Sequence, residues 1–273
     1  MTLAELPNQP TLAVTIMMGI AFIAVFGVVI RMFINYSKRK RNAALMIAVS
    51  FTFWGLAALI TFTGTLLQYL IYGPDGSTNA IGSFQFSRYG INLGYAFSAV
   101  CNIFMFLFIS EIFSKFALFR KTQKVLPMIN GILNGVTIGL VINAFIVSIK
   151  TTEPTELYNP AYPIPQTVYH LVLTLFTFLM LLAYSVKSMK QAPLKWEKVG
   201  FKFIIGTAVS AIMIYVLFVL DLVVQDIWIV FDDGYTIFNN LGWLTAVIMV
   251  NLAYIGFFMP NWIRLRYKEL EVK

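Results

Sequence analysis

The chain has 273 residues, of which 59% are hydrophobic and 12% charged, and its mean hydropathy is +0.79. That balance excludes a water-soluble globular domain. The formal net charge of +8 does not indicate nucleic acid, because the basic residues sit in short links beside apolar runs, where anionic lipid headgroups are the expected neighbours.

A membrane-crossing helix needs about 20 mostly apolar residues. Seven such runs are expected, at 11–36, 43–71, 88–114, 125–149, 167–187, 201–224 and 236–259. They predict an all-α, polytopic membrane protein, a seven-transmembrane helix bundle forming one domain over 1–273. The first run is preceded only by Glu5 and lacks the basic start of a signal peptide, so it is expected to remain as a span. It has no polar stripe, which predicts a lipid-exposed position. The second run aligns Ser50, Trp54, Thr61, Thr65 and Gln68 on one helical face. It ends on Tyr69 and Tyr72, at headgroup level, before the breaker Gly73-Pro74-Asp75-Gly76-Ser77.

The third run opens with Gly90 and Gly94 and aligns Asn92, Tyr95 and Asn102, with Ser98 at the edge. At its far end Glu111 and Lys115, four apart, are expected to pair. In the fourth run Gly131, Gly135 and Gly139 form a ridge without side chains, a helix-packing surface for another span or a second chain. Asn130, Asn134 and Thr137 make its polar stripe, and Pro154, Pro160, Pro163 and Pro165 mark the link that follows. The fifth run aligns His170, Thr174, Thr177 and Tyr184; the sixth Thr207, Ser210 and Asp221; the seventh Asn240, Trp243, Asn251 and Tyr254. Past Pro260, the tail Trp262-Ile263-Arg264-Leu265-Arg266-Tyr267 is either a short helix on the membrane surface or a continuation of the last span.

Lysine and arginine set the expected direction. Seventeen of the 20 basic residues follow the first, third, fifth and seventh runs, which places those segments in the cytoplasm and the N-terminus outside. A multi-pass protein of the cell membrane is the expected location.

Six polar stripes predict a bundle with a polar interior. An ionisable side chain within a span is costly and usually functional, which singles out Asp221. At similar depth stand His170, Tyr169, Tyr95, Gln68, Asn240 and Trp243. Together they form a candidate outward-facing ligand site.

Several chemistries are not supported. Covalent retinal attachment needs a lysine within a span, and the last run has none. Receptors that couple to G proteins carry an acidic-Arg-aromatic triplet where this chain has Ser110-Glu111-Ile112-Phe113. A lone His170 and a lone Cys101 cannot build the histidine-rich zinc site of membrane hydrolases, a Cys/His zinc centre, a bis-histidine haem or a disulfide. No Gly-x-Ser nucleophile lies in a span. A non-enzyme without cofactor or metal is expected.

The segment Gly256-Phe257-Phe258-Met259-Pro260-Asn261-Trp262-Ile263-Arg264 resembles the exit from the last helix of prokaryotic seven-transmembrane sensory regions, of the kind fused to histidine kinases. The resemblance implies a sensor or receptor whose signal leaves through the seventh helix. No output domain is expected in these 273 residues, so a separate cytoplasmic signalling partner or a homo-oligomer is implied. The alternatives are a small-solute or ion transporter or channel, and an accessory subunit of a membrane complex.

Overall fold

The computed structural model describes residues 12–72, 80–122, 124–150, 164–227 and 236–269. With no water in hydrocarbon to satisfy peptide groups, each long apolar run closes its own i to i−4 hydrogen bonds. The seven membrane-crossing helices are α1 (Leu12–Arg39), α2 (Asn42–Tyr72), α3 (Ala80–Ile112), α5 (Val125–Lys150), α6 (Ile164–Gln191), α7 (Lys195–Ile227) and α8 (Ile237–Phe258). Two shorter helices, α4 (Ala117–Thr122) and α9 (Asn261–Glu269), sit at the end where the basic residues collect. The protein is therefore a polytopic membrane protein with seven candidate spans.

The spans form a closed ring. α2 packs between α1 and α3, α5 between α3 and α6, α7 between α6 and α8, and α8 returns to α1. α3 also reaches α6, and it is the most buried span, with 56% of its membrane-length window enclosed. The expectation for α1 fails. Its window is 39% buried, more than the 28% of α5 and α7. A helix face needs no polar stripe to be internal: Val14, Met18, Ala21, Val25 and Met32 are all buried in the common core.

Where the polar stripes contain serine or threonine, most hydroxyls bond within their own helix. Thr61, Thr65, Thr174, Thr177 and Thr207 each donate to the carbonyl four residues earlier, as does Thr245 off the stripes. That satisfies the hydroxyl proton locally, while Thr174 still accepts from Asn102 and Thr65 still meets Met18 Sδ across helices.

Glycines fix the closest crossings. A Cβ at Gly90 would stand 2.8 Å from the Ile60 carbonyl oxygen, and one at Gly94 2.8 Å from Thr61 Oγ1, so α3 lies directly on α2. On α8 the equivalent is Gly256, where a Cβ would come within 2.9 Å of the Ile204 amide nitrogen on α7. The ridge of Gly131, Gly135 and Gly139 behaves differently. A Cβ at any of the three meets nothing within 4 Å, so this surface packs on no other described part of the chain.

At the basic end, α8 stops at Met259, whose φ of 41° is left-handed and whose N–H donates to Ile255 O. Pro260 follows and α9 begins at Asn261, so the tail is a separate helix and not a continuation of the last span. Ile263 of α9 is buried, and α9 rests on α7. The expected Glu111–Lys115 ion pair does not form. α4 turns Phe119 inward instead, against Phe106 and Tyr184.

These contacts set a stability order. Gly90→Leu and Gly256→Leu should each cost about 1–3 kcal/mol through overpacking and lower the melting temperature in detergent. Gly135→Ala should leave it unchanged or raise it, since alanine is favoured over glycine in a helix by about 0.5–1 kcal/mol.

Candidate functional site

Midway along the bundle, polar side chains from α3, α5, α6 and α7 meet in one buried layer. Asn102 of α3 is the hub. Its Nδ2 donates to Thr174 Oγ1 at 2.7 Å and to Asn134 Oδ1 at 3.4 Å, and its backbone oxygen accepts from Asn130 Nδ2 at 3.3 Å. Asn134 in turn donates to Asn130, through the backbone oxygen at 2.9 Å and Oδ1 at 3.2 Å. One helical turn away, His170 Nε2 lies 3.0 Å from Ser98 Oγ and 3.4 Å from Thr174 Oγ1. Ser98 Oγ is also 3.1 Å from Tyr215 Oη, which brings α7 into the network. The Tyr95 ring meets the imidazole edge-on, with centroids 5.5 Å apart.

Because Ser98 has one proton, the chain from His170 to Tyr215 has two directions. A proton on Nε2 makes His170 the donor to Ser98 and frees the Ser98 proton for Tyr215. Without it, Tyr215 donates to Ser98 and Ser98 to Nε2. The other ring nitrogen, Nδ1, is buried without a hydrogen-bond partner. Thr137 Oγ1 on α5 shares that condition. It lies three residues from Asn134, on the side away from the basic end. Buried polar groups are normally satisfied, so these atoms mark where water or a polar ligand would bind.

Asp221 stands apart from His170. Its Oδ1 accepts from the Thr236 amide at 2.8 Å and the Thr236 hydroxyl at 2.7 Å, and Oδ2 accepts from Asn239 Nδ2 at 3.0 Å. Thr236 is the N-cap of α8, accepting from Phe238 N at 3.2 Å. The carboxylate thus ties α7 to the start of α8, where the helix dipole favours negative charge.

The predicted site residues therefore separate. Tyr95 and His170 meet at the central layer. Asn240 and Trp243 sit on α8 past Asp221, with Asn240 Oδ1, Trp243 Nε1 and Asn239 Oδ1 lacking partners; the Trp243 ring lies 5.6 Å from that of Phe218. Tyr169 turns to the seam with α5 and donates to Leu133 O at 2.9 Å. The Gln68 side chain lies outside the described residues. Sequence reasoning missed Tyr215, Thr236 and Asn239. Tyr215 is about 80° around the helix from Thr207, off the stripe, but its long side chain reaches inward. Thr236, three residues before Asn239, carries an N-cap signal that was available.

A cavity of about 1080 Å³ opens at the basic end, among the ends of α3, α6, α7 and α8. Between it and the polar layer lie buried Met105, Phe108 and Ile109 of α3, Ala208 and Ala211 of α7, and Met249 and Ala253 of α8. Among the described residues no group of three or more His, Cys, Asp or Glu side chains is arranged to hold a metal. Comparison with protein-family models, with curated proteins and with solved structures finds no match in any of the three.

The Asp221 geometry predicts an asymmetry between two substitutions. Asp221→Asn should be tolerated at a cost of about 1 kcal/mol, because the free Asn239 Oδ1 can rotate to accept from the new amide. Asp221→Leu should cost about 3 kcal/mol, leaving the Thr236 amide and hydroxyl unmatched. Thermal unfolding of both variants in one detergent checks the difference.

Proposed function

We propose that this seven-helix membrane protein is a non-enzymatic sensor or receptor of the cell membrane, with its N-terminus outside and its basic end in the cytoplasm. In this reading the signal passes to a separate cytoplasmic partner. The observation that carries it is the central hydrogen-bonded layer, in which a buried histidine has one ring nitrogen engaged and the other open. A polar ligand or water that donates to Nδ1 fixes the proton on Nε2 and frees the Ser98 proton to donate to Tyr215. A ligand that accepts from Nδ1 sets the opposite direction. Either event changes what α7 receives from α3, so occupancy near one residue is transmitted across the bundle without a large motion.

Transport is the second reading, favoured by the cavity at the basic end, which has the form of one access mouth. The buried apolar residues between mouth and polar layer support a closed bundle instead. The lone cysteine separates the two readings without mutagenesis. Cys101 lies in the central layer, buried, with Sγ 3.2 Å from Ser50 Oγ. A sensor predicts that a water-soluble methanethiosulfonate reagent leaves Cys101 unmodified from either face of membrane vesicles. Modification from both faces would establish an aqueous path and replace the sensor reading with transport.

The direction of insertion has its own test. An epitope on the N-terminus should be labelled in intact cells, and one on the C-terminus only after permeabilisation. Labelling of both under the same condition contradicts seven crossings.

A further inference from the structure

The basic-end cavity is chemically distinct from the central layer and is used by none of the proton geometry above. We infer that it binds a phosphate monoester carried on an apolar or aromatic body. Its wall holds three cations, Arg41, Lys115 and Lys187, against one carboxylate, Glu197. Among the described residues none of the three cations makes an ion pair, and the helical neighbour that should neutralise Lys115, Glu111, does not reach it. The surplus of two positive charges matches a phosphate monoester, which carries about −1.5 to −2 at neutral pH. A single carboxylate would leave one of them uncompensated.

The remaining wall supplies the rest of such a site. Lys187 Nζ sits 4.9 Å from the centroid of the Phe116 ring, which restrains an otherwise flexible ammonium at the rim. Ser188 and Gln191 add hydrogen-bonding groups on the same helix. One turn deeper on the Ser188 face of α6, Ser185 is fully buried and its Oγ has no partner. The floor is apolar, made by Ile204 and Phe257, and Gly200 and Gly256 line it as well. A volume of about 1080 Å³ far exceeds a bare phosphate and matches a ligand with a body attached. This assignment does not depend on the sensor reading.

The ester has two sources, a phospholipid headgroup from the adjoining leaflet or a water-soluble metabolite. The full chain in phosphatidylcholine nanodiscs distinguishes them. In one arm phosphatidic acid is added to the nanodisc lipid; in the other phenyl phosphate is titrated, with benzoate as the same body bearing a carboxylate. Melting temperature and native mass spectrometry are the readouts. At least one phosphate probe should give a saturable rise in melting temperature that exceeds the effect of benzoate. Lys115→Gln and Lys187→Gln should each weaken it about tenfold, the loss of one charge-assisted contact. Lys121→Gln and Lys190→Gln, which remove charges at the same end but outside the cavity wall, should leave it intact. A response to phosphatidic acid alone assigns the lipid source, and a response to phenyl phosphate alone the soluble one. The inference is overturned if neither probe gives a saturable shift, if benzoate gives a saturable shift as large as that of the phosphate probe, or if the Lys121 and Lys190 variants lose binding as the cavity variants do.

Discussion

A polar group enclosed in hydrocarbon must find its partner inside the protein. For the backbone this demand is met by helix, and it converts seven apolar runs into seven spans. For side chains the same demand sorts the bundle into layers. Threonines turn back on their own helices, asparagines bridge between helices, and the one carboxylate deep in a span is held by a helix start. What remains unsatisfied after this sorting lies in three places, around His170, at the beginning of α8 and at Ser185 near the basic end. Those residual atoms, more than any catalytic constellation, give the bundle chemical character.

The two ends of the molecule differ for a related reason. Away from the basic end the helices are joined by segments rich in proline, glycine and acidic residues. At the basic end aromatic rings from α4, α6 and the link between α3 and α4 pack on one another, with Phe113, Phe116 and Phe119 all against Tyr184. This aromatic wall supports one side of the cavity while lysines occupy its rim. Apolar framework and cationic lining are thus built from the same few turns of helix.

The spans and the basic end were legible in the sequence because each depends on local composition: run length, charge and breaker residues. The helical boundaries moved where a charged turn extends the helix beyond the apolar run, as at Lys195 in α7, or where an uncharged stretch does so, as at Ala80 in α3. Layer residues such as Asn102 and His170 were legible as stripes, since side-chain direction follows from helical period. What was not legible was pairing. The period shows that Asp221 faces inward but not that Thr236 and Asn239 wait there. It shows that Gly131, Gly135 and Gly139 align but not that their face meets open space, whereas Gly256, which belongs to no repeat, makes one of the tightest crossings. Such facts depend on which helix lies opposite, and a single sequence without a related fold does not encode that locally.

The left-handed turn at Met259 has a mechanical consequence. A span that ran straight on past the bundle would act as a piston, pushing its tail as it slid. Here the rod is interrupted by the turn and Pro260, and the piece beyond leans on α7 through a buried isoleucine. Axial sliding of α8 would be taken up at the joint, while tilting or rolling of α7 would carry the tail with it. The lever arm of this bundle is thus driven by its sixth span and only hinged on its seventh.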